Sequence, residues 1–196
     1  MNYFTNQRIN KDLKSLVSQF KDGFRIKCDS SRNAYMKTLS PGAPMPLEGR
    51  IYGDGNRQEF ESECMGYRNK AREILGDYLG DLKKKATEAP STDAVNTISL
   101  LNMRSNITER EIDDLLTRYG DNPQAWRAIN SIAIDHDIRV FKDHPVYEEI
   151  STVEDLGASL DKAISLQSAE SGHASDGYIA LVNAQIDGAF PTGEEA

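Results

Sequence analysis

Titratable side chains of different kinds cluster at two places in this chain, the run Asp135-His136-Asp137 and the pair Asp143-His144. Histidine beside carboxylates can bind a metal ion or exchange protons with a substrate near neutral pH. A zinc site requires three or four such ligands, and no histidine precedes His136 in the sequence. We therefore interpret these residues as polar positions on helix faces and helix ends, and we predict no metal and no cofactor. A helical enzyme with a site near His136 or His144 is the third of three functional hypotheses.

Nucleophilic and phosphate chemistry lack their usual sequence signals. The chain has no Gly-x-Ser-x-Gly motif, and neither Cys28 nor Cys64 has a histidine nearby in sequence. The two cysteines match neither a metal pair nor a redox pair, so we expect reduced thiols used in packing. The run from Gly53 to Asn56 lacks the lysine and the Ser/Thr of a P-loop, which favours a plain turn. These observations predict a protein that is not an enzyme.

Charge is distributed unevenly along the chain, whose formal net charge is −8. Residues 1–50 carry nine Lys/Arg against four Asp/Glu, whereas residues 90–196 carry seven against nineteen. This asymmetry indicates two surfaces with different partners, or two surfaces that attract each other within or between copies. The basic end gives the second hypothesis, a nucleic-acid-associated accessory factor. Its candidate phosphate contacts are Lys11, Lys14, Arg25 and Lys27.

The first third of the chain predicts one helix followed by extended structure. Apolar residues at helical spacing favour a helix over about 7–20. The alternation from Phe24 to Cys28 is typical of a half-buried strand, and 34–39 could pair with it. Three prolines between Ser40 and Asn56, together with the glycines at 49, 53 and 55, predict a Pro/Gly-rich extended arm, in which 47–52 could form one more short strand.

The remaining sequence predicts helices joined by short turns. A long amphipathic helix is expected over about 57–87 and a shorter one over about 93–103, with Val95, Ile98 and Leu101 on its apolar face and Leu100 as a further candidate for that face. Thr108 and Glu111 form a capping box that should start a helix at 109. The Asn122-Pro123 pair should open another helix that continues to 141. A second capping-box match at 151–154 predicts a helix start there, and a last helix is expected over about 176–187, with Gly188 as its cap.

We therefore predict a mainly α fold, a helical bundle with a long central helix, a small N-terminal β element and a Pro/Gly-rich extended arm. The predicted organisation is a basic α/β segment with the arm (1–56), the long amphipathic helix (57–89), an acidic helical bundle (90–190) and a disordered tail (191–196). No run reaches the roughly 18 apolar residues of a membrane span, and the first residues lack the order of a signal peptide. We expect a cytoplasmic protein or part of an intracellularly assembled particle, such as a virion.

The first functional hypothesis is a non-enzymatic interaction or assembly protein, either scaffold-like or a structural component of a larger particle such as a phage. Its partners would be proteins, including other copies of itself, with nucleic acid less favoured and no membrane. Aromatic residues and the arm supply the candidate interface residues. These are Trp126, Tyr119, Pro41, Pro44, Pro46 and Tyr52.

Overall fold

The computed structural model describes residues 3–139, 142–167 and 174–192, and within them it contains helices and no strand. The prediction of a mainly helical protein is therefore confirmed. The helices are α1 (Tyr3–Met36), α2 (Asp54–Ala86), α3 (Thr92–Asn102), α4 (Glu109–Tyr119), α5 (Pro123–Asp135), α6 (Pro145–Gln167) and α7 (Ala174–Ala189).

The chain forms two compact units. Unit 1 comprises Met1–Asp77 and Val153–Ala196, and unit 2 comprises Tyr78–Thr152. Helices α2 and α6 each contribute residues to both units. Unit 2 is continuous in sequence and holds α3, α4 and α5 complete, whereas unit 1 is built from two separate stretches of chain.

The predicted strand at Phe24–Cys28 is wrong, because these residues lie inside the 34-residue helix α1. Phe20, Phe24 and Cys28 are all buried and follow one another at intervals of four, so they continue the helical stripe. In a strand, Ile26 would share one buried face with Phe24 and Cys28, but Ile26 is 63% exposed. Gly23 does not stop the helix. A Cβ there would lie 3.3 Å from the Tyr67 hydroxyl, so the glycine allows α2 to approach closely.

The core of unit 1 is built around an aromatic cluster. The Phe60 ring lies 6.2 Å from Phe20 and 5.3 Å from Phe24 between ring centroids. Cys28 and Cys64 are free thiols packed in the same cluster, as predicted. Burial raises the pKa of both thiols to about 11, so they carry no charge near neutral pH.

The predicted extended arm is not observed, because the segment between α1 and α2 folds back onto α1. The Arg32 side chain donates a hydrogen bond from Nε to the Pro46 carbonyl oxygen at 3.1 Å. The Tyr52 backbone N–H donates to the buried Ser31 hydroxyl at 3.1 Å, and the Tyr52 ring stacks on Tyr35 with centroids 4.7 Å apart. These contacts satisfy backbone groups that the prolines leave without helical partners, and they leave the residues around 47–52 as a loop.

Polar contacts join the two stretches of chain that build unit 1. The buried Asn10 side chain of α1 donates hydrogen bonds to the Asp187 carboxylate at 3.0 Å and to the Phe190 carbonyl oxygen at 2.8 Å. Between α2 and α6, Asp161 accepts from Arg68 at 3.1 Å and from Arg72 at 2.6 Å. Hydrogen bonding to Arg68 is the main cause that lowers the pKa of Asp161.

Helices α3, α4 and α5 share the core of unit 2, in which Ile112, Ala125 and Ile129 are fully buried. The predicted capping box is confirmed, since Thr108 and Glu111 each bond to the other's backbone N–H. The Asn122 side chain accepts from the backbone N–H groups of Gln124 and Ala125, and Pro123 occupies the first turn of α5. Both helix starts are local events that depend on residues within four positions of each other.

Three predicted boundaries in the second half of the chain are wrong. Helix α5 ends at Asp135 rather than at 141, and Asp137 adopts a left-handed backbone with φ of 52°; Val140 and Phe141 lie outside the described residues. Helix α6 begins at Pro145 rather than at 151, because the His144 Nδ1 atom caps it by accepting from the Val146 N–H at 3.2 Å. Helix α7 runs from Ala174 through Gly188 to Ala189. Residues 193–196 of the predicted tail also lie outside the description.

Within the described residues, every helix is too short or too polar to cross a membrane.

Candidate interaction surface

A groove of about 300 Å³ lies between α3 and α4 in unit 2. The residues that line it recur along each helix at intervals of three and four, so one face of each helix contributes. The lining residues are Thr97, Leu100, Leu101 and Arg104 of α3 and Glu111, Asp114, Leu115 and Arg118 of α4.

Helices α3 and α4 both pack on α5, and the groove lies along the seam between them. The two helices run antiparallel: Arg104 pairs with Glu111 beside the connecting loop, and Tyr119 bonds to Asp93 at the far ends. Polar contacts therefore join the hairpin at both of its ends. The apolar floor of the groove, formed by Leu101 and Leu115, is the outer edge of the core of unit 2.

Two large apolar side chains of this hairpin project into solvent. Leu100, in the wall of the groove, is 67% exposed, and Met103, at the end of α3, is 82% exposed. Single exposed apolar residues are ordinary on protein surfaces, but Leu100 lines an apolar groove and Met103 follows it at the C-cap of the same helix, so this hairpin exposes apolar side chains of the kind that binding sites use.

Charged residues of both signs line the groove. The Arg104 guanidinium donates to the Glu111 carboxylate at 2.5 Å. The pKa of Glu111 is lowered to about 2. The main cause is the hydrogen bond that the Thr108 backbone N–H donates to this carboxylate, and the second is the hydrogen bond from Arg104. At the other end, the pKa of Arg118 is raised, first by Tyr119 and then by the nearby carboxylates of Asp93 and Asp114. The groove thus combines an apolar floor with two cations and two anions.

The depressed pKa of Glu111 predicts an acid-sensitive end of the groove. An unfolded glutamate titrates near pH ~4.3, so the stability that the Glu111 carboxylate contributes is complete above that pH and is lost as the pH falls toward 2. We expect Glu111→Gln, which keeps a residue that a capping box accepts, to remove this part of the acid dependence. Urea unfolding of both proteins, followed by Trp126 fluorescence from mildly acidic pH downward, measures it. Parallel pH curves for the two proteins would contradict the assignment.

Trp126 and Tyr119, two of the predicted interface residues, have structural contacts inside unit 2. The Trp126 ring NH donates to the Lys142 carbonyl oxygen at 3.0 Å, and its ring meets His144 edge to face at 5.8 Å. The Tyr119 hydroxyl bonds to Asp93 and lies 3.3 Å from the Thr97 hydroxyl. Both side chains are partly buried, so the surface that they offer to a partner is small.

His136 and His144, the two histidines of the enzyme hypothesis, both lie at helix ends. His144 is buried and caps α6, and burial, followed by the charge of Lys85, lowers the pKa of its imidazole. His136 ends α5, where its backbone N–H donates to the Ile132 carbonyl oxygen at 3.1 Å. In the part of the chain that the structure describes, no three His, Cys, Asp or Glu side chains come together as a metal site.

The loop residues predicted as an interface divide into exposed and packed positions. Pro41 and Pro44 are exposed, whereas Pro46 is buried and Tyr52 is partly covered by its stack on Tyr35. The two exposed prolines therefore stay available to a partner, while Pro46 and Tyr52 hold the loop on α1.

Three of the four candidate nucleic-acid contacts lie in ion pairs within unit 1. Lys14 lies 2.5 Å from the Asp187 carboxylate, Lys27 pairs with Glu59, and Arg25 lies 3.6 Å from Asp22. Lys11 is exposed on α1. The basic start of the chain is thus partly neutralised by acidic residues of its own unit, and nucleic-acid binding through these residues stays a prediction.

The sequence did not predict the groove. It placed Val95 on the apolar face of α3, but Val95 is exposed, and Ala94, Ile98 and Leu101 form the buried face. The adjacent pair Leu100-Leu101 is the signal that could have indicated it, because neighbouring side chains on a helix point about 100° apart and one of the two lies away from the centre of the buried face.

No protein-family model matches this chain, and no curated protein and no solved structure is significantly similar to it. The residues and the geometry of the groove are therefore the basis on which a function can be proposed.

Proposed function

We propose that this chain is a non-enzymatic assembly protein that binds another protein through the α3–α4 groove of unit 2. The observation that carries the proposal is the exposure of Leu100, in the wall of a groove with a leucine floor, and of Met103, three residues further along the chain. Burying each of these side chains against a partner would contribute about 1.5–3 kcal/mol toward association. A role in a larger particle, such as a virion, is a finer version of the same proposal.

The groove suits a protein partner better than a small molecule. It is open along the hairpin, and its polar groups are long, exposed charged side chains at its ends rather than buried groups that converge on one point. An apolar centre with a charged rim is the usual arrangement of protein interfaces.

Site-specific photo-crosslinking tests this function. A photo-reactive amino acid replaces Met103, and in a control protein it replaces Met65, an exposed methionine on α2 of unit 1. We expect a discrete cross-linked product from position 103 and none from position 65, in the purified protein or in an extract of its native cells. Adding Leu100→Glu should reduce the yield about tenfold or more, since a charge is placed in the apolar wall. Absence of a product from position 103, or equal products from both positions, would contradict the proposal.

A further inference from the structure

We infer that the partner in the groove is a second copy of this chain, whose own α3–α4 hairpin packs against the first in a two-fold symmetric dimer. This inference rests on the proposed function and names the partner of the same surface. In a two-fold dimer, one patch must be complementary to itself, in shape and in charge.

The shape of the hairpin meets this requirement. It carries a recess floored by Leu101 and Leu115 and, on the same helix pair, the projecting side chains of Leu100 and Met103. A two-fold axis places the projections of one copy against the recess of the other, and the reverse contact forms at the same time. A surface with only a recess, or only projections, would need a partner of different shape.

The charge of the groove also meets the requirement that the patch be complementary to itself. The chain has a formal net charge of −8, so two copies repel each other over most of their surfaces. The groove lining instead has two cations, Arg104 and Arg118, and two anions, Glu111 and Asp114. A balanced lining can face its own copy without net repulsion, whereas a strongly basic or strongly acidic partner would gain little from it.

The other attraction between copies that the sequence suggested, basic start against acidic end, is partly used inside unit 1. Lys14 and Lys21 both form ion pairs with carboxylates of α7, Asp187 and Asp176 respectively. Association driven by those charges would have to break these pairs. An apolar contact through the hairpin breaks none of them, and it predicts a dimer that is only weakly sensitive to salt.

The size of the hairpin sets the expected strength of the dimer. Each of its two helices has 11 residues and so is about 16 Å long. A face of this size lies at the low end of stable interfaces, so we expect a reversible dimer with a Kd in the micromolar range, on the order of 10 µM.

The test is the molar mass of the full chain in solution, measured by sedimentation equilibrium from about 1 µM to about 300 µM, a range that brackets the expected Kd. We expect the mass to rise from that of one chain, 21.8 kDa, toward twice that value, with less than about a threefold change in Kd between low and high salt. Leu100→Glu should weaken the dimer at least about tenfold. The matched control is Leu181→Glu, a leucine of similar exposure on α7 of unit 1, which should leave the Kd unchanged.

Each alternative result has a defined meaning. If circular dichroism shows that Leu100→Glu does not fold, Met103→Glu repeats the test, because Met103 lies just beyond the end of the helix. A dimer that survives both folded variants, or that dissociates at high salt, overturns the inference. A monomer over the whole concentration range also overturns the dimer inference. The cross-linking experiment then tests the proposed function separately. A product between position 103 and a different protein supports the proposed function, whereas the absence of a product overturns both the function and the dimer.

Discussion

Ile129→Ala is expected to lower the free energy of unfolding of unit 2 by about 2–5 kcal/mol. Ile129 is fully buried in the cluster that α3, α4 and α5 share, so its truncation removes apolar contacts and leaves a cavity between three helices. Both α3 and α4 pack on α5, so α5 helps to hold them in position. The groove should therefore be lost together with the stability of this core.

Helix α5 supplies its own control. Ile134 is the same residue type on the same helix, and its side chain is 46% exposed. Ile134→Ala should change the unfolding free energy by less than about 1 kcal/mol, partly because alanine favours the helix slightly more than isoleucine does. Trp126 is the only tryptophan in the chain and lies in α5, so urea unfolding followed by its fluorescence measures both variants. Equal losses for the two variants would show that this core does not have the packing described.

Phe60→Ala is expected to destabilise unit 1 by about 3–5 kcal/mol. The ring is 1% exposed and packs on Phe20 and Phe24, so truncation removes both the buried area and two aromatic contacts. It also removes a fully buried aromatic side chain that α2 offers to the middle of α1. The run from Phe24 to Cys28 would then face a core that lacks the Phe60 ring.

Met65→Ala is the control on α2, since Met65 is mostly exposed, and it should change stability by no more than about 0.5 kcal/mol. Phe60→Leu gives a graded test, because it keeps most of the apolar volume and should cost clearly less than Phe60→Ala. Urea unfolding by far-UV circular dichroism compares the three variants. A loss for Phe60→Ala no larger than that for Met65→Ala would be incompatible with the aromatic cluster.

The parts of the fold that could be predicted from the sequence are those decided by neighbouring residues. The capping box of Thr108 and Glu111 and the start of α5 at Asn122-Pro123 depend on bonds that span three residues or fewer. The continuity of α1 could not be predicted in this way. Its residues 24–28 fit both a strand and a helix, and the buried partner that decides between them, Phe60, lies 36 residues beyond Phe24.

The loop and the groove escaped prediction for the same physical reason. Three prolines forbid a helix near residues 41–46, but they do not reveal that Ser31 and Arg32 bind the segment that follows α1. Likewise, either Leu100 or Leu101 could have faced the core, and the position of α5 decides which one does. Tertiary contacts therefore determined both features.

The separation in sequence between the two stretches of unit 1 has a consequence for synthesis. The bonds from Asn10 to Asp187 and Phe190 join residues 177 and 180 positions apart, so they cannot form until α7 has left the ribosome. Unit 2 is complete in sequence well before that point, and its contacts are between neighbouring helices, the kind that forms fastest. During translation, the apolar stripe of helix α1 therefore has no α7 to pack against at the time when the hairpin that carries Leu100 and Met103 is already complete.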